Sequence, residues 1–75
     1  MTYSTHLLRH LRFTIGQNIQ RQRVQNKWPL RKLARLACID EYRLDQFELG
    51  KNEIHLNELF RIACVLKVEI AQLMC

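Results

Sequence analysis

Proline and glycine are scarce in this 75-residue chain, which contains one Pro and two Gly. It has no glycine-rich phosphate loop and no GxSxG motif, so nothing in it is typical of a nucleotide-binding or hydrolytic enzyme. Its longest apolar run, residues 62–66, is far too short to span a bilayer. A chain of this length forms one domain at most and buries a modest core. We therefore expect no enzyme, no cofactor and no membrane partner.

Metal-ligand spacing is also missing. His6 and His10 are four residues apart but have no third ligand, so no metal site is expected. The three cysteines are an odd number without metal-site spacing. Cys38 and Cys64 have apolar neighbours and are predicted to be small buried hydrophobes, which suits a reducing cytosol. Cys75 is terminal, where an adventitious intermolecular disulfide can form.

Acidic residues are absent from the first half of the chain. Residues 1–39 contain eight Lys and Arg and no Asp or Glu, whereas residues 40–75 contain seven acids and four bases. This asymmetry indicates a polyanionic partner, either nucleic acid or an anionic membrane surface. The alternative is an ordinary solvated basic surface.

Apolar residues at helical spacing are abundant and predict an all-α fold. Two alternatives remain for the start of the chain. Either the first helix begins near Thr5 and runs on, or Thr14 caps a new helix that follows an arm. The predicted organisation is therefore an N-terminal arm or helical extension over 1–13 and a domain over 14–75.

Residues 40–51, DEYRLDQFELGK, give the strongest local signal. Asp40 is a good helix N-cap, because its carboxylate can accept bonds from free backbone N–H groups. Gly50 marks the end, because it tolerates the left-handed conformation. The spacing places three residues on the inward face of this helix: Leu44, Phe47 and Glu48. The outward set is mostly polar and includes groups able to bind base edges: Tyr42, Arg43, Asp45, Gln46 and Leu49.

A charged residue lies on the apolar stripe of the preceding long helix, 15–26. Arg23 shares the face of Ile15 and Ile19, and a charge in a core-facing position needs a partner. Glu48 is the natural partner, since it lies on the inward face of the central helix. The alternative is that Arg23 extends to solvent.

The remaining segments predict short helices separated by tight turns. The turn at 27–29 brings Trp28 into the core, and a helix follows over 30–37. Two short helices joined by so few residues match the helix-turn-helix layout. A last short helix is expected over 70–73. Between them, residues 56–66 form an amphipathic helix whose predicted inward residues are Leu56, Leu59, Phe60, Ala63 and Leu66.

From residue 15 to residue 73 the sequence resembles the Cro/C1-type helix-turn-helix family, also called the lambda-repressor-like or XRE family. The resemblance is carried by four segments in the family's order: IGQNIQRQR, LRKLARLACID, LDQFELGK and LNELFRIACVLKV. It implies a compact five-helix bundle, with the residues before it as an extended or additional N-terminal helix. It also implies an Arg–Glu pair, which maps onto Arg23 and Glu48.

The resemblance further implies contacts with DNA. The positions that contact bases in the family correspond to Glu41, Tyr42, Arg43, Asp45 and Gln46. Arg pairs with guanine, Gln with adenine, and a carboxylate accepts from cytosine N4. Phosphate contacts are expected from Arg31, Lys51, Asn52 and backbone N–H groups at helix starts.

Several positions depart from the family pattern. Leu30 replaces the usual Gln at the start of the second helix, and Ile54 replaces the usual Pro after the glycine loop. Cys38 replaces the usual Gly of the turn, where a side chain makes the left-handed conformation costlier. The acidic Glu41 and Asp45 would lie near phosphates, which weakens DNA binding.

We therefore expect a sequence-specific DNA-binding transcriptional regulator in the cytoplasm of a bacterium or a phage-infected cell, associated with the nucleoid. It would bind double-stranded DNA as a homodimer, with two recognition helices ~34 Å apart in successive major grooves. The predicted dimer surface consists of Ile70, Leu73 and Met74. Control would come from its own concentration or from a partner protein. The alternative is a protein-interaction module, antirepressor-like or antitoxin-like, in which the acidic helix has exchanged DNA for a partner.

Overall fold

Five helices make up the part of the chain that the structure describes. The computed structural model describes the backbone of residues 5–75 and the side chains of residues 9–75. The chain order is α1 (Thr5–Gln25), α2 (Leu30–Leu36), α3 (Glu41–Glu48), α4 (Leu56–Leu66) and α5 (Ile70–Met74). Within these bounds the fold is all-α, which confirms the predicted five-helix bundle. None of the described helices has the length and apolar character needed to cross a membrane.

Helix α1 confirms the first of the two predicted alternatives for the start of the chain. It begins at Thr5 and continues through Thr14 without a break, so Thr14 does not start a new helix. The first four residues of the predicted arm lie outside the described residues. The division of the chain into 1–13 and 14–75 stays a prediction.

The core is built from the apolar faces of all five helices around α3. Phe47 is the largest fully buried side chain, and removing such a ring from water contributes roughly 1.5–3 kcal/mol. Helix α1 packs against α3 and α5, and α2 packs against α3. Eight of the residues that form this core are Ile15, Ile19, Leu33, Leu44, Phe47, Leu59, Ile62 and Leu73.

Helix α1 approaches the end of α3 at Gly16. A Cβ added to Gly16 would lie 2.1 Å from the carbonyl oxygen of Phe47 and 2.8 Å from that of Glu48. Such distances are impossible for real atoms, so any side chain here would move one helix backbone. Gly16 therefore sets the distance between α1 and α3.

The ends of α3 follow the predicted signals. The Asp40 carboxylate accepts a hydrogen bond of 3.1 Å from the backbone N–H of Arg43. At the other end Gly50 has φ 72°, and the N–H groups of Gly50 and Lys51 donate to the carbonyls of Phe47 and Gln46. These two backbone hydrogen bonds form a Schellman motif, which satisfies carbonyl groups that have no partner within the helix.

Helix α2 ends in the same motif without a glycine. Cys38 has φ 56°, its N–H donates to the carbonyl of Arg35, and the next N–H, of Ile39, donates to that of Ala34. The thiol of Cys38 is exposed, and so is that of Cys64, so the prediction that both are buried hydrophobes was wrong. In the turn after α2 the neighbouring Ala37 and Ile39 are the residues that enter the core, which leaves the side chain of Cys38 in solvent.

Helix α4 spans the predicted residues and buries three of the five that were predicted to face inward, Leu59, Ala63 and Leu66. Leu56 and Phe60 are 73% and 58% exposed, contrary to prediction. Both lie on one row of residues spaced by four, which continues to Cys64. The row that packs inward contains Ile62, which was not predicted, together with the three predicted residues. Both rows have helical spacing, so the pattern alone could not choose between them.

Candidate nucleic-acid interface

The outward face of α3 is a polar surface with one large aromatic residue. Tyr42 is 71% exposed and Glu41 is exposed beside it, while Asp45 and Gln46 one turn later are half-buried. A shallow groove of about 350 Å³ separates this face from α2 and is lined by Leu30, Glu41, Tyr42 and Asp45. Four of the five predicted base-contacting residues therefore share one accessible face.

Basic groups flank this face on two sides. Arg31 is exposed in the first turn of α2, and Lys51 is exposed just after the glycine that ends α3. Asn52, also predicted to contact phosphate, is half-buried next to Lys51. Near Arg31, the ammonium of Lys32 lies 5.2 Å above the centre of the Trp28 ring. Trp28 is half-buried and packs against the core, as predicted.

The position of the loop after α3 is fixed by α1. A Cβ added to Gly50 would lie 2.9 Å from the Cα of Phe13. Gly50 also has a positive φ, which a residue with a Cβ adopts only at a cost, so two independent constraints disfavour a side chain at this point. Lys51 is thus presented from a rigid turn.

Arg23 joins three segments behind the interface. Its Nε and Nη2 donate to the two carboxylate oxygens of Glu48 at 2.7 and 2.9 Å, and its Nη1 donates to the carbonyl of Trp28 at 2.9 Å. Hydrogen bonding to Glu48 raises the pKa of the Arg23 guanidinium, against the opposing effect of burial. The Glu48 side chain is 3% exposed. The alternative in which Arg23 extends to solvent is therefore not what the structure contains.

Arg43 does not lie with the other predicted base-contacting residues. Its Nε and Nη2 donate to the two carboxylate oxygens of Glu58 at 2.7 and 2.9 Å. Its guanidinium carbon also lies 4.8 Å from the centre of the Phe47 ring. The prediction that Arg43 contacts bases does not fit this arrangement, because its bidentate Nε/Nη2 edge faces α4 rather than the outward surface.

The turn between α2 and α3 is supported by α4. Arg61 donates from Nε to the carbonyl oxygen of Ala37 at 2.9 Å. This carbonyl belongs to the C-cap residue of α2, where a cation is favourable because backbone carbonyls are left free. The helix-turn-helix unit is thus fastened from α1 through Arg23 and from α4 through Arg61.

The predicted dimer residues separate into two groups. Leu73 is fully buried, so its prediction as a dimer contact was wrong. Its side chain packs in the core because α5 docks on α1, and Asn18 of α1 donates from Nδ2 to the carbonyl oxygen of Leu73 at 2.9 Å across this contact. Ile70 is half-buried and Met74 is 42% exposed. Phe60, Val68 and Ile70 border a shallow apolar groove of about 280 Å³ on this side.

Comparison with known proteins agrees with this geometry. A family model described as helix-turn-helix matches residues 19–73. The chain belongs to the XRE-type helix-turn-helix family of DNA-binding transcription regulators. No curated protein sequence matches it. Proteins of this family are regulatory DNA-binding proteins rather than enzymes.

Solved structures of three bacterial proteins have the same fold. The restriction-modification controller protein C.AhdI from Aeromonas hydrophila is 22% identical with a TM-score of 0.80, over 83% of this chain and 94% of that one. The hypothetical transcription factor NHTF from Neisseria is 28% identical with a TM-score of 0.82, over 87% and 75%. The clp gene regulator ClgR from Corynebacterium glutamicum is 24% identical with a TM-score of 0.81, over 84% and 67%.

Three of the residues that position the interface were not singled out in the sequence. They are Gly16, Glu58 and Arg61, and each acts through a partner on another helix. A signal existed for Glu58, which is the third residue of α4. Its Oε1 accepts the N–H of His55 at 3.0 Å, as a capping box predicts. No local sequence signal predicted that the Glu58 carboxylate also accepts the two hydrogen bonds from Arg43.

Proposed function

We propose that this regulator binds a specific operator as a homodimer, with the outward face of α3 in the major groove. The observation that carries the proposal is the placement of Tyr42 and Gln46 on one accessible face between Arg31 and Lys51. An α-helix fits the major groove, where each base pair presents a distinct pattern of donors and acceptors. Backbone phosphates on both sides of the groove would meet the flanking cations.

Each group on this face suits a particular contact. The Gln46 amide can bind adenine through two hydrogen bonds, and Glu41 or Asp45 can accept from the N4 amino group of cytosine. Arg31, Lys51 and Asn52 are proposed to contact phosphates, which fix the register and carry no sequence information. The Glu41 and Asp45 carboxylates repel the negative phosphates. In this proposal they therefore face bases that present an amino group in the major groove.

The homodimer is proposed to form through the outer faces of α4 and α5. Phe60 and Met74 expose apolar area there, and Ile70 borders the groove beside Phe60. A two-fold interface uses the same patch on both subunits, so a protruding ring next to an apolar groove is a suitable arrangement. Phe60 thus replaces the buried Leu73 in the proposed dimer surface.

A bacterial cytoplasm is the proposed location, since DNA is the proposed partner and the similar structures come from bacterial proteins. The regulator would then act at the nucleoid. Control by a partner protein also belongs to this proposal.

A second function is favoured by the acidity of α3. With Arg43 paired to Glu58, the outward face carries Glu41 and Asp45 without a neighbouring cation of its own helix, and Leu49 is exposed nearby. Such a surface suits a basic protein partner better than a polyanion. Under this alternative the chain is a protein-interaction module whose helix-turn-helix no longer binds DNA.

Two measurements on the full chain distinguish these functions. The first is selection of bound DNA from a random pool, followed by affinity measurements over a range of salt concentrations. A palindromic consensus is expected, and log affinity should fall linearly with log salt because phosphate contacts release counterions. Absence of binding even at low salt would refute the regulator and favour the interaction module.

Two matched variants test the proposed roles. Gln46→Ala should weaken the preference for one base pair while nonspecific affinity stays nearly unchanged. Lys51→Ala should weaken binding to all sequences alike and reduce the salt slope by about one. Lys67→Ala is the control, because Lys67 is exposed at the end of α4, outside the proposed interface. If the Gln46→Ala variant loses affinity equally for every sequence, Gln46 does not contact a base.

A further inference from the structure

The Arg43–Glu58 pair connects the recognition helix to α4 with defined geometry. Arg43 presents Nε and Nη2 to opposite oxygens of one carboxylate, at 2.7 and 2.9 Å. Its Nη2 also donates to the carbonyl of Glu53 at 3.3 Å. Two parallel donors on one carboxylate form the strong bidentate arrangement of Arg.

The acceptor in this pair is fixed independently of Arg43. Glu58 lies in the first turn of α4 and its Oε1 also accepts the backbone N–H of His55 at 3.0 Å. Its side chain is 11% exposed. The hydrogen bonds from Arg43 and from His55 lower the pKa of Glu58, although burial opposes them, so this carboxylate is ionised at neutral pH. The side chain of Arg43 is therefore held by a charged group that belongs to the scaffold.

Glu58 accepts hydrogen bonds from Nε and Nη2 of Arg43, two donors that could otherwise bind a base. Arg identifies guanine by giving two parallel N–H donors to O6 and N7 in the major groove. Arg43 is in the first turn of α3, one residue after the exposed Tyr42. It would thus be well placed along the chain to contact a base, but its Nε/Nη2 edge is directed at α4.

We propose that Glu58 is a positioning residue that determines operator specificity by withholding Arg43 from guanine. The inference rests on the proposed function, since it assumes that α3 enters the major groove. With Arg43 held back, base preference comes from Tyr42, Gln46 and the two carboxylates of the outward face. The operator then lacks a guanine at the position that Arg43 would otherwise read.

The test is selection of DNA with four proteins: the wild type, Glu58→Gln, Glu53→Gln and the double variant Arg43→Gln/Glu58→Gln. Glu58→Gln removes the charge that holds Arg43, and it should gain preference for guanine at one position in each half-site, by about 5-fold or more. Glu53→Gln is the matched control, because it removes an exposed acid near Arg43 but keeps the backbone carbonyl, which makes the only hydrogen bond that Glu53 accepts from Arg43. It should select the wild-type consensus. Circular dichroism checks that each variant is folded.

The double variant keeps the proposal testable if Glu58→Gln does not fold. It replaces the ion pair by two amides and should select the wild-type consensus, because Arg43 contributes no base contact in the wild type. A wild-type guanine that disappears in the double variant would overturn the proposal, and so would Glu58→Gln selecting the same consensus as Glu53→Gln. In both cases DNA binding persists, so the proposed function stands. Binding by none of the four proteins would refute both.

Discussion

Replacing Cys38 by glycine should make the protein more stable. Cys38 occupies the left-handed position that ends α2, with φ 56°, and its side chain is exposed. A residue with a Cβ loses roughly 1–2 kcal/mol in this conformation, and glycine does not. Since the thiol is exposed, its removal should cost little packing. The extra freedom of glycine in the unfolded chain cancels about 0.4–1 kcal/mol of the gain.

The expected net change is a stabilisation of about 0.5–1 kcal/mol, which corresponds to a rise in melting temperature of roughly 2–8 °C for a domain of this size. The free energy of unfolding is measured by urea titration and the melting temperature by circular dichroism. Cys38→Ala is the first control, because it removes the thiol but keeps the Cβ. It should leave stability nearly unchanged.

Cys64→Gly provides a control of opposite sign. Cys64 is also exposed but lies inside α4, where glycine is about 1 kcal/mol less favourable than alanine. The same substitution should therefore stabilise at 38 and destabilise at 64. Destabilisation at both positions would refute the assignment of strain to the backbone of Cys38.

Three further predictions concern the contacts around α3. Glu48→Gln should destabilise by about 3 kcal/mol, because it leaves the Arg23 guanidinium without its charged partner; an unchanged melting temperature would show that the pair contributes nothing. Gly16→Ala should destabilise by about 2–3 kcal/mol despite the better helix propensity of alanine, since its Cβ would overlap a carbonyl of α3; a gain in stability on urea titration would contradict the close approach. The pKa of Glu58 is lowered in the fold, so its stabilising contribution is present above pH 4.5 and is lost as the pH falls below it. Stability measured between pH 6 and pH 3 should fall less steeply for Glu58→Gln than for the wild type, and equal slopes would remove Glu58 from the acid response.

Local signals predicted the recognition helix well. The cap at Asp40 and the stop at Gly50 depend on residues inside the segment, so the sequence was enough to place them. The inward face of α3 followed from spacing. Arg23 could be matched to Glu48 because a charge on an apolar stripe requires a partner, and Glu48 was the available acid on a core-facing position.

Contacts between distant segments were harder to predict. The helical spacing of α3 places Arg43 on its outward polar face. The sequence does not show that Glu58, on another helix, binds its side chain. The burial of Leu73 depends on how α5 docks on α1, to which the hydrogen bond from Asn18 contributes. For α4, two apolar rows were available, and the choice of the row with Ile62 over the row with Phe60 is made by packing. In each case the missing information was the relative placement of two helices.

The two ion pairs of α3 have a consequence for how this helix holds its shape. Arg43 lies near its N-terminus and Glu48 at its C-terminus, and both charges oppose the helix macrodipole, which favours acids at the start and bases at the end. A helix of eight residues is also too short to be stable alone in water. The recognition element is therefore not an autonomous folding unit, and a peptide of residues 40–51 grafted elsewhere would lose its shape. Its order comes from the burial of Leu44 and Phe47 and from the contacts with Glu58 of α4 and Arg23 of α1, so the surface proposed to contact DNA is a property of the whole domain.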